Sequence, residues 1–271
     1  MGLAIDTIGF YRTAGTAADT ALTAATIVPG DSFTIRSFGP TASASLRNIF
    51  QKSPHMLNYI RVRSPLMHDN VRGIAIYPGE SPGQIALPPY FGQPLQSQDY
   101  MTSEILAGTA SESVVCAMQV YYSDLLGAAA RLHSWGDIAG NIKFIKPIEV
   151  DVAMGASAGV WVDTLITGTE DLTHANKDYA VLGFMCGLGV AAIGVKGGDT
   201  ANLRVCGPGN VRQAGTSDYF VKLSNDSGLP CIPVINSANK GSTYLSVLSS
   251  GESATYKLML MCAELINNLS N

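Results

Sequence analysis

The chain has 271 residues, enough for one large domain or two small ones with a good buried core. It is 46% hydrophobic but only 14% charged, which suits outer faces covered by neighbours and equally a Gly-rich monomeric β protein. Net charge is −4 and Lys and Arg are scattered, which argues against the clustered positive patch that tight nucleic-acid contact needs.

In chain order, short β-rich runs alternate with turn residues, the pattern of an all-β sandwich or barrel. Ala17–Ala25 has helix-forming composition with two Thr inside it. The expected strands of the first half are Ser32–Phe38, Asn58–Arg63, Arg72–Tyr77 and Ser113–Tyr122. A short helix is expected over Asp124–His133 and a linker over Arg131–Ile142. The second half holds expected strands Gly159–Leu165, Tyr179–Phe184, Val190–Val195, Asn202–Cys206, Tyr219–Leu223, Cys231–Ile235, Thr243–Val247 and Ser253–Cys262. Pro29-Gly30-Asp31, Pro78-Gly79, Gly197-Gly198-Asp199, Gly207-Pro208-Gly209-Asn210 and Asn225-Asp226-Ser227-Gly228 punctuate these runs as turns or loops.

Two of the runs read as copies of each other. Ser111–Leu125 and Gly251–Leu265 both open on a small residue and Glu-Ser, run apolar, and close on acid-Leu. Cys116, Met118, Val120 and Tyr122 share one face of the first, and Tyr256, Leu258, Leu260 and Cys262 share one face of the second. Alternate side chains of a strand point to opposite faces, so agreement on the apolar face is agreement on fold. Three weaker word pairs come in the same order: Phe33–Phe38 with Tyr179–Phe184, Ile60–Pro65 with Leu203–Pro208, and Leu87-Pro88 with Ile232-Pro233. The unit is far longer than a solenoid repeat of about 20–50 residues, so it indicates duplicated domains, 1–135 and 136–271.

No residue is singled out as catalytic, cofactor-binding or metal-ligating. His55, His68, His133 and His174 show no His-x-His or His-x-x-x-His spacing, and His68-Asp69 reads as a loop pair. Gly187–Ala192 matches Gly-x-Gly-x-x-Ala, but Gly194, Gly197 and Gly198 break any helix that would come after it, so it reads as a Gly-rich hairpin. Glu104, Glu112 and Glu170-Asp171 fall in loop-like contexts, with nothing to set a separation between two carboxylates. Cys116, Cys186, Cys206, Cys231 and Cys262 are odd in number and mostly within apolar runs, as expected of reduced structural thiols. Arg61 and Arg204 stand at matching repeat positions, either as interface ion-pairing residues or as outward strand residues with their heads in water. Asn225-Asp226-Ser227 and Asn268-Leu269-Ser270 are glycosylation sequons of the kind chance supplies. No apolar run approaches the roughly 20 residues that span a bilayer. Met1–Asp6 lacks a signal peptide's basic and apolar regions and the Ser or Thr of a myristoylation pattern, so synthesis in a cytoplasm is expected.

A duplicated all-β chain with low charge and no catalytic signature resembles the double jelly-roll major capsid proteins of icosahedral DNA viruses, notably those of membrane-containing bacteriophages. The words Ser111–Leu125 with Gly251–Leu265 and Ile60–Pro65 with Leu203–Pro208 carry the resemblance. It implies two tandem jelly-roll β-sandwiches, pseudo-hexagonal homotrimers that tile a virion shell, and no enzyme activity or cofactor. Implied partners are other copies of the chain, penton or minor capsid proteins and an internal membrane, without sequence-specific nucleic-acid binding. Two other readings stay open: a duplicated β-barrel tail-tube or baseplate protein, and a carbohydrate-binding or hydrolytic β-sandwich. The last would need an aromatic-lined cleft, yet Trp135 and Trp161 lie near the expected junction between units.

Overall fold

The computed structural model of the chain describes residues 2–52, 59–67, 69–76, 83–86, 92–166, 172, 174–187, 189–209 and 216–269. These residues form four antiparallel sheets. Two come from β1 (Ala4–Thr13), β2 (Thr23–Ala24), β3 (Thr26–Ile27), β4 (Ala44–Lys52), β5 (Tyr59–Arg63), β6 (Ile74–Ile76), β7 (Gly83–Ala86), β8 (Gln93–Leu95), β9 (Thr102–Leu106) and β10 (Ser113–Tyr122). The other two come from β11 (Leu132–His133), β12 (Ile142–Met154), β13 (Ala158–Leu165), β14 (Asp178–Met185), β15 (Val190–Lys196), β16 (Val205–Pro208), β17 (Ile232–Asn236), β18 (Tyr244–Ser250) and β19 (Ala254–Leu265). Helices α1 (Trp135–Ala139) and α2 (Tyr219–Ser227) accompany the second set.

The first set orders as β3-β1-β10-β4-β7, with β8 also on β4, and as β2-β9-β5-β6. The second orders as β11-β17-β14-β19-β12 and as β13-β18-β15-β16. The two sets match strand for strand: β1 with β12, β2 with β13, β4 with β14, β5 with β15, β6 with β16, β7 and β8 with β17, β9 with β18, and β10 with β19. Each unit is closed by its own apolar residues. Ile8, Phe10, Ile49, Met118 and Val120 meet Ile60, Val62 and Ile105 between the first two sheets. Val150, Val152, Phe184, Leu258 and Leu260 meet Ile193, Leu245 and Val247 between the other two.

The two units also pack on each other. The sheet of β1, β10 and β4 lies against the sheet of β13, β18, β15 and β16. Matched strands therefore differ in burial. In β10 every residue after Ser113 is buried, because one face meets its own unit and the other meets the second unit. In β19 Leu258, Leu260 and Cys262 are buried, while Lys257 is exposed and Met259 and Met261 are half-buried.

Several sequence expectations need correction. By strand order the counterpart of Ile60 in β5 lies in β15, whereas Leu203 precedes β16. The counterpart of β14 is β4, not Phe33–Phe38, which contributes only the isolated bridges Thr34–Tyr100 and Phe38–Leu125. Leu87-Pro88, Tyr77 and Pro78-Gly79 lie outside the described residues. Ala17–Ala25 is not helical and contains β2. The helix expected over Asp124–His133 forms instead at Trp135–Ala139, because Ser134 and Asp137 build a reciprocal capping box there. That helix and β11 occupy most of the expected linker. Tyr219–Leu223 is the start of α2 rather than a strand, and Gly228 at φ +66° ends it in the left-handed conformation that glycine tolerates. Asn202 stands at positive φ before β16. The Gly187–Ala192 word is no hairpin: its last three residues open β15, and β14 before it belongs to a different sheet.

Candidate functional site

The junction between the two units gathers the polar chemistry that the fold takes out of water. Asp31 comes directly after the turn residues Pro29 and Gly30 and turns its carboxylate toward the second unit. It accepts from the backbone N–H of Gly9 at 2.6 Å, from Trp161 Nε1 at 2.7 Å and from the Arg204 guanidinium at 3.2 Å. Arg204 also donates to Asp163 at 3.2 Å and to Ser246 Oγ at 3.0 Å, and lies 4.6 Å from the centre of the Trp161 ring. Lys196 and Ser246 complete the shell of Asp163 at 2.9 and 2.6 Å.

The two carboxylates are tuned in opposite directions. Burial pushes the Asp31 carboxyl above its ordinary value, against the pull of Gly9, Trp161 and Arg204. Burial works the same way on Asp163, but Ser246, Lys196 and Arg204 outweigh it and hold that carboxyl low. A guanidinium with several donors suits such a junction, since it can serve two acids and an aromatic face at once.

A second polar cluster sits deeper. Asn48 of β4 donates to Gln119 Oε1 of β10 at 3.0 Å and to Tyr219 Oη of α2 at 3.2 Å. Gln119 Nε2 donates to the Cys206 carbonyl at 2.8 Å, and the Cys206 N–H donates to Thr7 Oγ1 at 3.1 Å. These residues are buried, so their amides and hydroxyls need the partners found here. Burial holds the Tyr219 hydroxyl protonated, its pKa raised well above the ordinary value. Around the cluster Ile5, Val28, Phe50, Val115, Ala117 and Tyr121 of the first unit merge into the apolar core of the second.

Arg131, where the chain enters the second unit, is held by the same kind of chemistry. It donates two bonds to the Asp178 carboxylate, at 3.0 and 2.7 Å, and one to the Leu269 carbonyl. Asn236 and the Leu269 N–H also donate to Asp178. The shallow cleft of about 320 Å³ beside these groups is lined by Arg131, Asp178, Asp199, Asn236, Asn239, Asn268 and Leu269. Its carboxylates are taken up by internal bonds, so the cleft fastens the C-terminal segment to the unit.

The residues weighed in the sequence separate accordingly. Arg204 bridges the two units of one chain, while Arg61 lies on the outer face of β5 and pairs with Glu104 at 2.5 Å. They are not equivalent, because Arg61 is inside a strand and Arg204 precedes one. Trp161 belongs to the junction, whereas the Trp135 N–H bonds to Ser224 Oγ where α1 meets α2. His174 contacts the buried Glu264, which also accepts from Lys143 and Tyr179. His55, His68, Glu170 and Asp171 lie outside the described residues. The five cysteines form no disulfide and are buried, and burial pushes the Cys116 and Cys206 thiols up, which keeps them unreactive. Among the described residues no group of three or more His, Cys, Asp or Glu is placed to hold a metal ion, and no helix is long and apolar enough to cross a membrane. Reading the sequence missed Asp31, Asp163, Asn48 and Gln119; the one signal in reach was Gln119, a polar residue inside the long apolar run of β10.

No family model matches the chain, and no curated protein matches it. Among solved structures it is similar to the STIV major capsid protein, at 9% identity over 98% of this chain and 97% of that one, with a TM-score of 0.22. A TM-score that low does not establish a common fold.

Proposed function

We propose that this chain is a viral major capsid protein: two tandem jelly rolls that associate as homotrimers and tile an icosahedral shell. The observation that carries the reading is the repeated strand order. With the added strands β3 and β11 left out and β7 and β8 taken as one, the first strand of each unit lies beside the last, the last beside the third and the third beside the sixth, while the second, seventh, fourth and fifth make the facing sheet. Two four-stranded sheets connected in this way are what a jelly roll requires. The pairing favours a division between Tyr122 and Leu132, since β11 joins the sheet of the second unit. The described polar clusters join parts of the protein to each other, which suits a building block better than a catalyst. Low overall charge, at 14% of residues, fits surfaces that neighbours cover.

Sedimentation velocity at micromolar concentration, with negative-stain microscopy of the same sample, tests the reading. Trimers with a hexagonal outline, or shells, are expected. Stacked rings or tubes would favour a tail-tube protein, and a stable monomer of 28.5 kDa would overturn assembly altogether.

A further inference from the structure

Among the described residues two sheet faces are turned outward, and their side chains are complementary. On β12 the outward residues are Lys143, Ile145, Pro147, Glu149, Asp151 and Ala153, with Ile145 52% exposed. Beside them on β19 stand Lys257, Met259 and Met261, opposite Asp151, Glu149 and Pro147 in the register. At the other end of the molecule the outward face of β5 and β9 carries Tyr59, Arg61 and Arg63 opposite Leu106, Glu104 and Thr102.

Each face holds a triad of alternating charge. Lys257 bonds to Glu149 at 3.0 Å and stands opposite Asp151, which gives acid, base, acid. Glu104 bonds to Arg61 at 2.5 Å and to Arg63 at 3.0 Å, which gives base, acid, base. In both triads the outer charges are two residues apart on one strand, a spacing of roughly 6.5–7 Å. Laid together, two guanidiniums meet two carboxylates and Glu104 meets Lys257. Apolar residues flank both triads: Ile145, Pro147, Met259 and Met261 on one face, Tyr59 and Leu106 on the other.

We propose that these faces bind each other between copies of the chain, the β12–β19 face of one copy seated on the β5–β9 face of the next. The contact repeats one already made inside the chain. There the outer face of β1, β10 and β4 sits on the sheet of β13, β18, β15 and β16. By strand equivalence β12, β19 and β14 correspond to the first surface and β2, β9, β5 and β6 to the second. Such a contact uses different patches on the two partners, so successive copies add in one rotational sense and close into a ring when the angle allows. The proposal rests on the capsid reading and gives that assembly its interface.

The test inverts whole triads, which keeps the pairs within each face intact. One variant carries Glu149→Lys, Lys257→Glu and Asp151→Lys; another carries Arg61→Glu, Glu104→Arg and Arg63→Glu; a third carries all six changes. Sedimentation velocity reads the assembly, and near-ultraviolet circular dichroism reports the fold of each variant. Each single inversion sets like charges opposite one another and is expected to weaken self-association by about 100-fold or more. The six-change chain is expected to regain it. Wild-type assembly with single inversions that assemble equally well overturns this contact and leaves the capsid reading standing. Failure of a folded six-change chain to recover also overturns it. A wild-type chain that stays monomeric overturns both.

Discussion

Arg204 and Asp31 are 173 residues apart in the chain and 3.2 Å apart in space, and between them they couple the two units. Both are largely buried, so the pair owes its value to completeness: each lone pair and each N–H must find a partner once water has been removed.

Arg204→Ala is therefore expected to destabilise the protein by about 3–5 kcal/mol, the cost of leaving a buried carboxylate without its cation. The double variant Arg204→Met with Asp31→Asn, which removes both charges, should cost less than Arg204→Ala alone. Urea unfolding of the two variants decides the matter. A loss under about 1 kcal/mol for Arg204→Ala would mean that water reaches Asp31 in place of the guanidinium.

Much of the fold was legible where both faces of a strand are apolar. Ser113–Tyr122 is a long apolar run that, after Ser113, only Gln119 interrupts, and it is β10 to the residue. Burial that the other unit supplies to a strand of mixed sequence was not legible. Ala4–Thr13 carries Asp6, Thr7 and Gly9 and so does not read as a core strand, yet seven of its residues are buried, with Ile8 and Phe10 in the first unit's core and Ile5 and Thr7 on the face that the second unit covers. Pro147 obscures β12, although a proline is acceptable in a strand at a sheet edge, where β12 lies. Tyr219–Leu223 reads as β because its four apolar residues around Lys222 say nothing of the Gly228 cap that closes the helix. No spacing rule relates Asp31 to Arg204, since their meeting depends on how two finished units dock.

Glu264 sets an acid limit on stability. Its side chain is buried; burial would raise its carboxyl, but Lys143, His174 and Tyr179 together hold it down to about 2, from an ordinary 4.5. An acid held low binds fewer protons folded than unfolded. Its contribution is therefore present above pH 4.5 and is lost as pH falls from 4.5 toward about 2. The magnitude is on the order of 3 kcal/mol, at about 1.4 kcal/mol for each pH unit. Asp31, held high, acts in the opposite sense and loses stability as pH rises through its folded value. Glu264→Gln should flatten the fall in denaturation midpoint between pH 5 and pH 2, to the extent of the Glu264 contribution. An unchanged slope would show that Glu264 plays no part in the acid sensitivity.

Leu260 lies in the core of the second unit, opposite Ile148 on β12 and Phe184 on β14, and is fully buried. Leu260→Ala is expected to cost about 2–5 kcal/mol, from lost transfer energy and the cavity left behind. Met259 and Met261, its neighbours on the opposite face, are half-buried, and alanine there should cost under about 1 kcal/mol in an unassembled chain. Thermal unfolding of the three variants compares the two faces of one strand directly. Equal losses on both faces would contradict the burial pattern of β19.

Gly159 positions the tryptophan that reaches Asp31. The β13–β18 register slips between Ala158 and Val160, so Gly159 is the extra residue of a β-bulge, at φ +67°. The bulge sets the phase of the rest of β13, and a slip of one residue would turn Trp161 and Asp163 to the wrong face of the sheet. A second constraint acts at the same atom: a Cβ on Gly159 would fall 2.2 Å from the ring of Tyr11 in the first unit. Gly159→Ala therefore meets a left-handed backbone penalty of roughly 1–2 kcal/mol and, in addition, the ring of Tyr11, which must shift to make room. The expected total is about 2–4 kcal/mol, with quenching or exposure of Trp161 fluorescence as its bonds to the first unit loosen. Adding Tyr11→Ala should return the steric part and leave the backbone part, so the double variant is expected to lie between Gly159→Ala and the parent once the cost of Tyr11→Ala alone is subtracted. A Gly159→Ala chain within about 0.5 kcal/mol of the parent would show that the bulge can move elsewhere in β13 and that the junction does not depend on it.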